Sequence, residues 1–390
     1  MRIPVGVAAL CCVVGVAFAF GNKAMAAQQS TPPINWPVAG SKTLPRVRIL
    51  GPPVLRIGGP AGPEDLLLAG VVGAARLPDG GIAIADAGNF RVLFVDGAGR
   101  MVATVGRQGD GPGEFRLPQW MGPCRDGTVG VVDASPARIT FLSPNGGLVG
   151  TAPLPPGFGF DLPLRCLGEG KIVLLLNRIR RQISPGEFIG QPTALARTRG
   201  SSGLDTIALR GTQDYYVAKL IGAYADVPLG RATLAAAGPD LLYLATNDEG
   251  EVSVFDMAGA ERGRFRARIA RRRVSRADWT RAIEYRIDAE PLLETQKVLR
   301  SVLAELPVPR EFPRIDRIHA DAGNNLWVRT FDNFGTTVAT WIIVSPDGTP
   351  QAVAATPRNL RILEIGLSHL VGVTRDADEV EEVVLYHFAR

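Results

Sequence analysis

Between residues 69 and 118 the chain alternates short apolar runs with clusters of turn-forming residues. The runs at 71–75, 82–85, 92–95 and 101–105 are separated by Pro78-Asp79-Gly80-Gly81, Asp86-Ala87-Gly88-Asn89 and Asp96-Gly97-Ala98-Gly99. Runs this short suit strands rather than helices, and the turns supply residues that tolerate φ > 0 or start a reversal. Four antiparallel strands in series form a sheet apolar on both faces, which must pack on neighbours of its own kind. Radial repetition answers that need and is the arrangement of a β-propeller.

The pattern recurs along the chain. Inner turns follow at Arg125-Asp126-Gly127, Gly168-Glu169-Gly170, Pro239-Asp240 and Asp321-Ala322-Gly323-Asn324-Asn325. Outer turns follow at Pro144-Asn145-Gly146-Gly147, Asp256-Met257-Ala258-Gly259 and Ser345-Pro346-Asp347-Gly348. Asp86 and Asp133 stand 47 residues apart, the length of one four-stranded blade. The expected architecture is therefore an all-β, six-bladed propeller over residues 45–390, with blades near 66–106, 115–154, 159–211, 229–270, 313–355 and 359–388; seven is the rival count. The last blade has three strands, and either 46–50 or 54–57 is expected to supply its fourth, closing the ring and removing an exposed sheet edge.

Residues 275–306 break the strand rhythm. Ser275 with Asp278 three residues on predicts a helix N-terminus, and Trp279, Ile283 and Ile287 make one apolar helical stripe. Pro291 opens a second helix carrying Leu292, Leu299, Val302, Leu303 and Leu306. This helical insertion between the fourth and fifth blades is read either as a lid or docking element, or as packing against the side of the ring.

Residues 1–26 read as a signal peptide. Arg2 precedes an apolar stretch, and Ala24-Met25-Ala26 fits the small-x-small cleavage rule. Residues 27–44 read as a disordered N-terminal segment. The expected location is periplasmic or extracellular, with no transmembrane span after cleavage. Cys124 and Cys166 are then the only cysteines left, each near the end of an inner strand, and are disulfide candidates for an oxidising compartment; two buried thiols are the alternative. The formal charge of +5 is slight for 390 residues, and 38 of the 43 basic residues are Arg. That balance does not point to nucleic acid.

The Asp86-Ala87-Gly88-Asn89-Phe90-Arg91 turn, its copy Asp133-Ala134-Ser135-Pro136-Ala137-Arg138, and the Gly-rich linker ending in Gly113-Glu114-Phe115 carry a family resemblance. They resemble six-bladed propellers of the NHL-repeat-like (TolB-like) type found in exported bacterial proteins. The resemblance implies a structural role for the turn, with Asp and Asn bonding to backbone. Arg91 and Arg138 would then either point at the channel mouth or pair with turn carboxylates. With Arg178, Arg180 and Arg181, they form the candidate ligand-binding set; Arg271–Arg273 would extend such a basic rim.

Some enzymes of this architecture hold a divalent metal in the channel. A lyase-like site wants several histidines, whereas His319, His369 and His387 are the only ones, and a zinc site using all three would need the two faces of the ring to meet. A gluconolactonase-like site uses oxygen ligands, for which Glu64, Asn89, Asn177, Asn247 and Asp332 are the candidates. The preferred expectation is an exported, monomeric, non-catalytic binding or scaffold protein without a cofactor. It would engage a peptide, glycan or protein of the cell envelope through its inter-blade loops. The alternative is a hydrolase or lyase using calcium or another divalent cation.

Overall fold

The computed structural model describes residues 44–49, 51–60, 62–155, 162–168, 171–176, 184–219, 224–267, 269–288, 293–331, 337–376 and 378–389. All belong to one compact unit, Pro32–Arg390. The signal peptide and nearly all of the 27–44 segment lie outside the described residues.

The strands form five sheets in a propeller-like arrangement. Three sheets have four strands, one has five and one has nine. In each of the three, strands pair in chain order, as in Val71–Arg76, Ile82–Asp86, Arg91–Val95 and Met101–Val105. The inner strands follow one another around a common centre. Val71–Arg76 packs on Pro118–Pro123, then come Leu162–Gly168, Thr233–Ala237 and Ile315–Ala320. The turn after Ile315–Ala320 donates from the Ala322 amide to the Ile365 carbonyl (2.9 Å), and Arg361–Ile365 packs back on Val71–Arg76.

Middle strands such as Ile82–Asp86 are buried along their whole length because both faces meet neighbouring sheets. One such interface holds Ala83, Phe94, Phe115, Met121, Val131 and Leu142. Phe115 is completely buried there, a wedge between the first two sheets.

Both candidate closing strands are used, not one. Arg46–Ile49 lies between Pro350–Pro357, to which it is parallel (Arg46 opposite Val353), and Glu381–Ala389, to which it is antiparallel (Arg48 opposite Ala389). Leu55–Gly58 pairs antiparallel with the same last strand, Leu55 opposite Leu385. Inserting Arg46–Ile49 is what merges two groups of strands into the nine-stranded sheet.

The insertion forms α1 (Arg276–Asp288) and α2 (Leu293–Ala304). Ser275 and Asp278 make reciprocal cap bonds: the Asp278 amide donates to Ser275 Oγ (3.1 Å), and the Ser275 amide to Asp278 Oδ2 (3.0 Å). Trp279, Ile287, Val302, Leu303 and Leu306 bury against Tyr216 and Ala218. Those two lie at the end of a hairpin, Phe188–Thr198 with Leu204–Val217, that runs past the expected blade end at 211. The extra hairpin length is the platform on which the insertion sits.

Cys124 and Cys166 are joined by a disulfide with Cα atoms 4.5 Å apart, linking the second and third inner strands. The bond packs on Gly130, where an added Cβ would meet Cys124 Sγ at 2.9 Å.

Gly106 tests the wedge packing. Its φ is +109°, and an added Cβ would lie 2.6 Å from the Phe115 ring and 2.7 Å from the Phe90 carbonyl oxygen. Gly127 has φ +83° with nothing within 4 Å. Gly106→Ala is expected to cost about 3 kcal/mol in denaturant unfolding, against about 1 kcal/mol for Gly127→Ala, where only the backbone is strained. Equal losses would contradict the wedge.

Candidate functional site

The motif side chains are spent on the turns. Asp86 is completely buried; its Oδ1 accepts the Ala69 amide (2.8 Å), and its Oδ2 accepts Asn89 Nδ2 (2.8 Å) and Arg91 Nε (2.9 Å). Arg91 also donates to the Leu67 carbonyl (2.8 Å). Asp133 repeats the device, accepting the amides of Arg116 (2.9 Å) and Leu117 (2.7 Å), while Arg138 donates to the carbonyls of Asp110 and Glu114. Both arginines thus stabilise the turns and linker.

Asn247 does the same in the fourth sheet: its Oδ1 accepts the Ala232 amide (2.7 Å), and its Nδ2 donates to the Gly230 carbonyl (3.0 Å). With both amide atoms committed to backbone, Asn247 is poorly placed to ligate a cation. Glu64 and Asn89 are both exposed, each in its own short 3-10 turn. Asn177, Arg178, Arg180, Arg181 and Asp332 lie outside the described residues. No group of three or more His, Cys, Asp or Glu side chains that could hold a metal comes together among the described residues. Of the rim expected at 271–273, Arg271 pairs with Glu311 (2.8 Å) and Arg272 lies over the Phe312 ring (3.8 Å to its centre).

The histidine expectation needs correction. His369 and His387 stand directly opposite each other on paired strands, because an antiparallel hairpin brings the start of one strand to the end of the next. His319 is apart from them, its ring 5.5 Å from that of Trp341.

Sequence reasoning missed the arginines of the inner strands. Arg165 stands in Leu162–Gly168, Arg317 in Ile315–Ala320 and Arg361 in Arg361–Ile365. Each has its guanidinium pKa pushed down, first by burial and then, for Arg165 and Arg317, by a like charge, Arg125 and Arg329 respectively. Arg317 is nonetheless exposed to solvent.

Arg165 feels the carboxylates of Glu364, from an inner strand three places further round, and of Asp240. Arg361 donates to the Val71 carbonyl, and Arg329 pairs with Asp316 (2.5 Å). Glu364 is held by the Arg76 amide (2.7 Å) and His369 Nε2 (3.0 Å). Arg165 and Arg317 have no hydrogen-bond or ion-pair partner among the described residues, and Arg165 Nε is buried.

His319 lies two residues from Arg317, hence on the same side of the strand. Burial, then the charges of Arg317 and Arg329, push its pKa down to about 3, and its buried Nε2 is unpartnered. The folded protein therefore keeps this imidazole neutral while the unfolded chain protonates it near pH 6.5. The unfolded state binds the extra proton as pH falls, so stability drops with it by about 1.4 kcal/mol per unit. Between pH 6.5 and 5 the loss from this group is expected to be about 2 kcal/mol, and His319→Gln should remove it from the urea-unfolding pH profile. An unchanged slope would contradict the burial of a neutral imidazole.

The sequence matches no protein-family model and no curated protein. Among solved structures the chain is similar to a Bacteroides fragilis protein described as exported, at 12% identity over 90% of this chain and 97% of that one, with a TM-score of 0.45. It is also similar to a member of the DUF4221 family from Bacteroides vulgatus, at 10% identity over 88% and 98%, TM-score 0.46. A third is a gluconolactonase from Xanthomonas campestris, at 12% identity over 90% and 99%, TM-score 0.41.

Proposed function

We propose that the chain is an exported, six-bladed propeller of NHL-like type that works as a binding protein, engaging a peptide, glycan or protein of the cell envelope through its inter-blade loop face. Six inner strands in succession support the blade count, with the nine-stranded sheet read as two blades sharing Arg46–Ile49. The N-terminal sequence and the Cys124–Cys166 bond support export, since such bonds persist in oxidising compartments. No helix among the described residues is long and apolar enough to cross a membrane.

One observation carries the binding reading. Tyr285 on α1 is 72% exposed, and it lies in the neighbourhood of Arg317 on an inner strand. The insertion is anchored on Tyr216 and Ala218 by its own core and offers this aromatic side chain to solvent. An exposed aromatic on an anchored insertion is suited to recognition.

Site-specific photo-crosslinking tests this reading. A benzophenone side chain at Tyr285 is expected to give an adduct in intact cells, whereas one at Val102, 61% exposed on an outer strand, gives none. Adducts at neither position would overturn the loop-face reading. The metal-dependent alternative makes a separate claim: removal of divalent ions by chelator, followed by Ca²⁺, would move Tm by the equivalent of about 2.7 kcal/mol at a hundredfold excess over Kd. The binding reading predicts no such shift.

A further inference from the structure

We infer that the cavity at the ring closure, against the last strand, is a saccharide-binding site in which Tyr386, Thr374 and Asn359 take the hydroxyl groups of a neutral oligosaccharide. This rests on the reading of the chain as a binding protein that meets its ligand on the inter-blade loops, and names the ligand class.

The cavity has a volume of about 700 Å³, a size that suits a small ligand. Ring closure builds it. Leu55–Gly58 and His369–Arg375 flank the last strand, Glu381–Ala389, so Arg56, Val384 and Gly372 stand in one cross-strand row, and Gly58, Glu382 and Thr374 in the next. Glu382, Val384 and Tyr386 alternate along the last strand and share one face, and all three line the cavity. Gly372 lets the inter-blade segment come close: an added Cβ would meet Leu360 Cδ1 at 2.7 Å and the Arg361 carbonyl oxygen at 2.8 Å. That approach brings Pro357 and Asn359, just before it in the chain, into the lining.

The charges of the lining are settled within the protein. Arg56 pairs with Glu382, and Arg375 pairs with Glu379 (3.2 Å) and Glu381 (2.9 Å). Asp376 Oδ1 accepts the amides of Asp378 and Val380, both at 2.9 Å. What remains open is neutral. Tyr386 is only 8% exposed, yet its hydroxyl has no hydrogen-bond partner among the described residues, and neither have the side chains of Thr374 and Asn359. An enclosed tyrosine hydroxyl usually finds a partner. The chain follows that rule at Tyr216, which donates to Glu305, and at Tyr243, which donates to the Asn324 carbonyl. At Tyr386 the place of that partner is the cavity.

The open groups select the ligand. Two hydroxyls and a side-chain amide can each both donate and accept, and they stand beside apolar surface from Val384, Pro60 and Pro357. A sugar ring matches both, with hydroxyls that donate and accept around an apolar C–H face. Arg56, Arg375, Asp376 and Glu382 are the charged side chains of the lining and sum to zero, so the cavity draws in neither sign of ligand. An anion would find both guanidinium groups already paired.

Binding of the full chain to immobilised neutral oligosaccharides of glucose, galactose, mannose and N-acetylglucosamine, with uronic-acid and sulfated oligosaccharides alongside, tests the site. Saturable binding to at least one neutral saccharide is expected, with a Kd indifferent to added NaCl. Tyr386→Phe and Asn359→Ala should each raise that Kd about fivefold, the weight of one neutral hydrogen bond. Thr151→Val, exposed on an outer strand, should leave it unchanged. No binding to any neutral saccharide, binding confined to the acidic ones, or the parent's Kd in both cavity variants overturns the inference. Thermal unfolding without ligand supplies a second check. Because the Tyr386 hydroxyl bonds nothing in the protein, Tyr386→Phe should melt within about 2 °C of the parent; a larger fall would make the hydroxyl structural and count against the site. Failure on the saccharides with the Tyr285 adduct still formed would sink this inference alone and leave the loop-face reading standing.

Discussion

The buried turn carboxylate is the constraint on which the sheets depend. Asp86 has no solvent exposure, and its two oxygens together hold the amide that leads into the inner strand, the Asn89 amide and the Arg91 guanidinium. Asp133 ties the second sheet in the same way, and Asn247 does so in the fourth with a neutral amide. Glu381 carries the device across the closure, accepting the Val71 amide (2.6 Å) from the first sheet and the Arg375 guanidinium (2.9 Å) from its own. Each is an ionised or polar group taken from water and repaid only by full hydrogen bonding; removing one partner of such a pair costs about 3–5 kcal/mol. The inner strands are thereby fixed in place before any ligand arrives.

Much of this was legible from the residue pattern. Turn residues recur at blade spacing, so the strand order and most turns could be placed. Ser275 and Asp278 announced the start of α1, and the cysteines' positions near the ends of successive inner strands made them candidates, the bond itself being shown by the structure. Other features were hidden for identifiable reasons. Pairing of both 46–49 and 55–58 depends on parallel addition beside Pro350–Pro357, which no local pattern encodes. The cross-strand meeting of His369 and His387 follows from hairpin register rather than from chain distance.

The inner-strand arginines were the largest omission. Arg165 sits in Leu164-Arg165-Cys166-Leu167, which reads as an ordinary strand with one polar residue facing water. Whether that water is bulk solvent or the enclosed centre of a ring is a property of the closed assembly of sheets. The motif arginines drew attention instead because they stand in a recognisable turn, yet Arg91 and Arg138 prove to be braces. The conspicuous pattern builds the scaffold, and a fold of itself does not locate function.

The claim that buried turn carboxylates fix the sheets is tested most directly by urea unfolding of Asp86→Ala. The account predicts a loss of about 3–5 kcal/mol. A loss within about 0.5 kcal/mol, the range of ordinary surface substitutions, would contradict it.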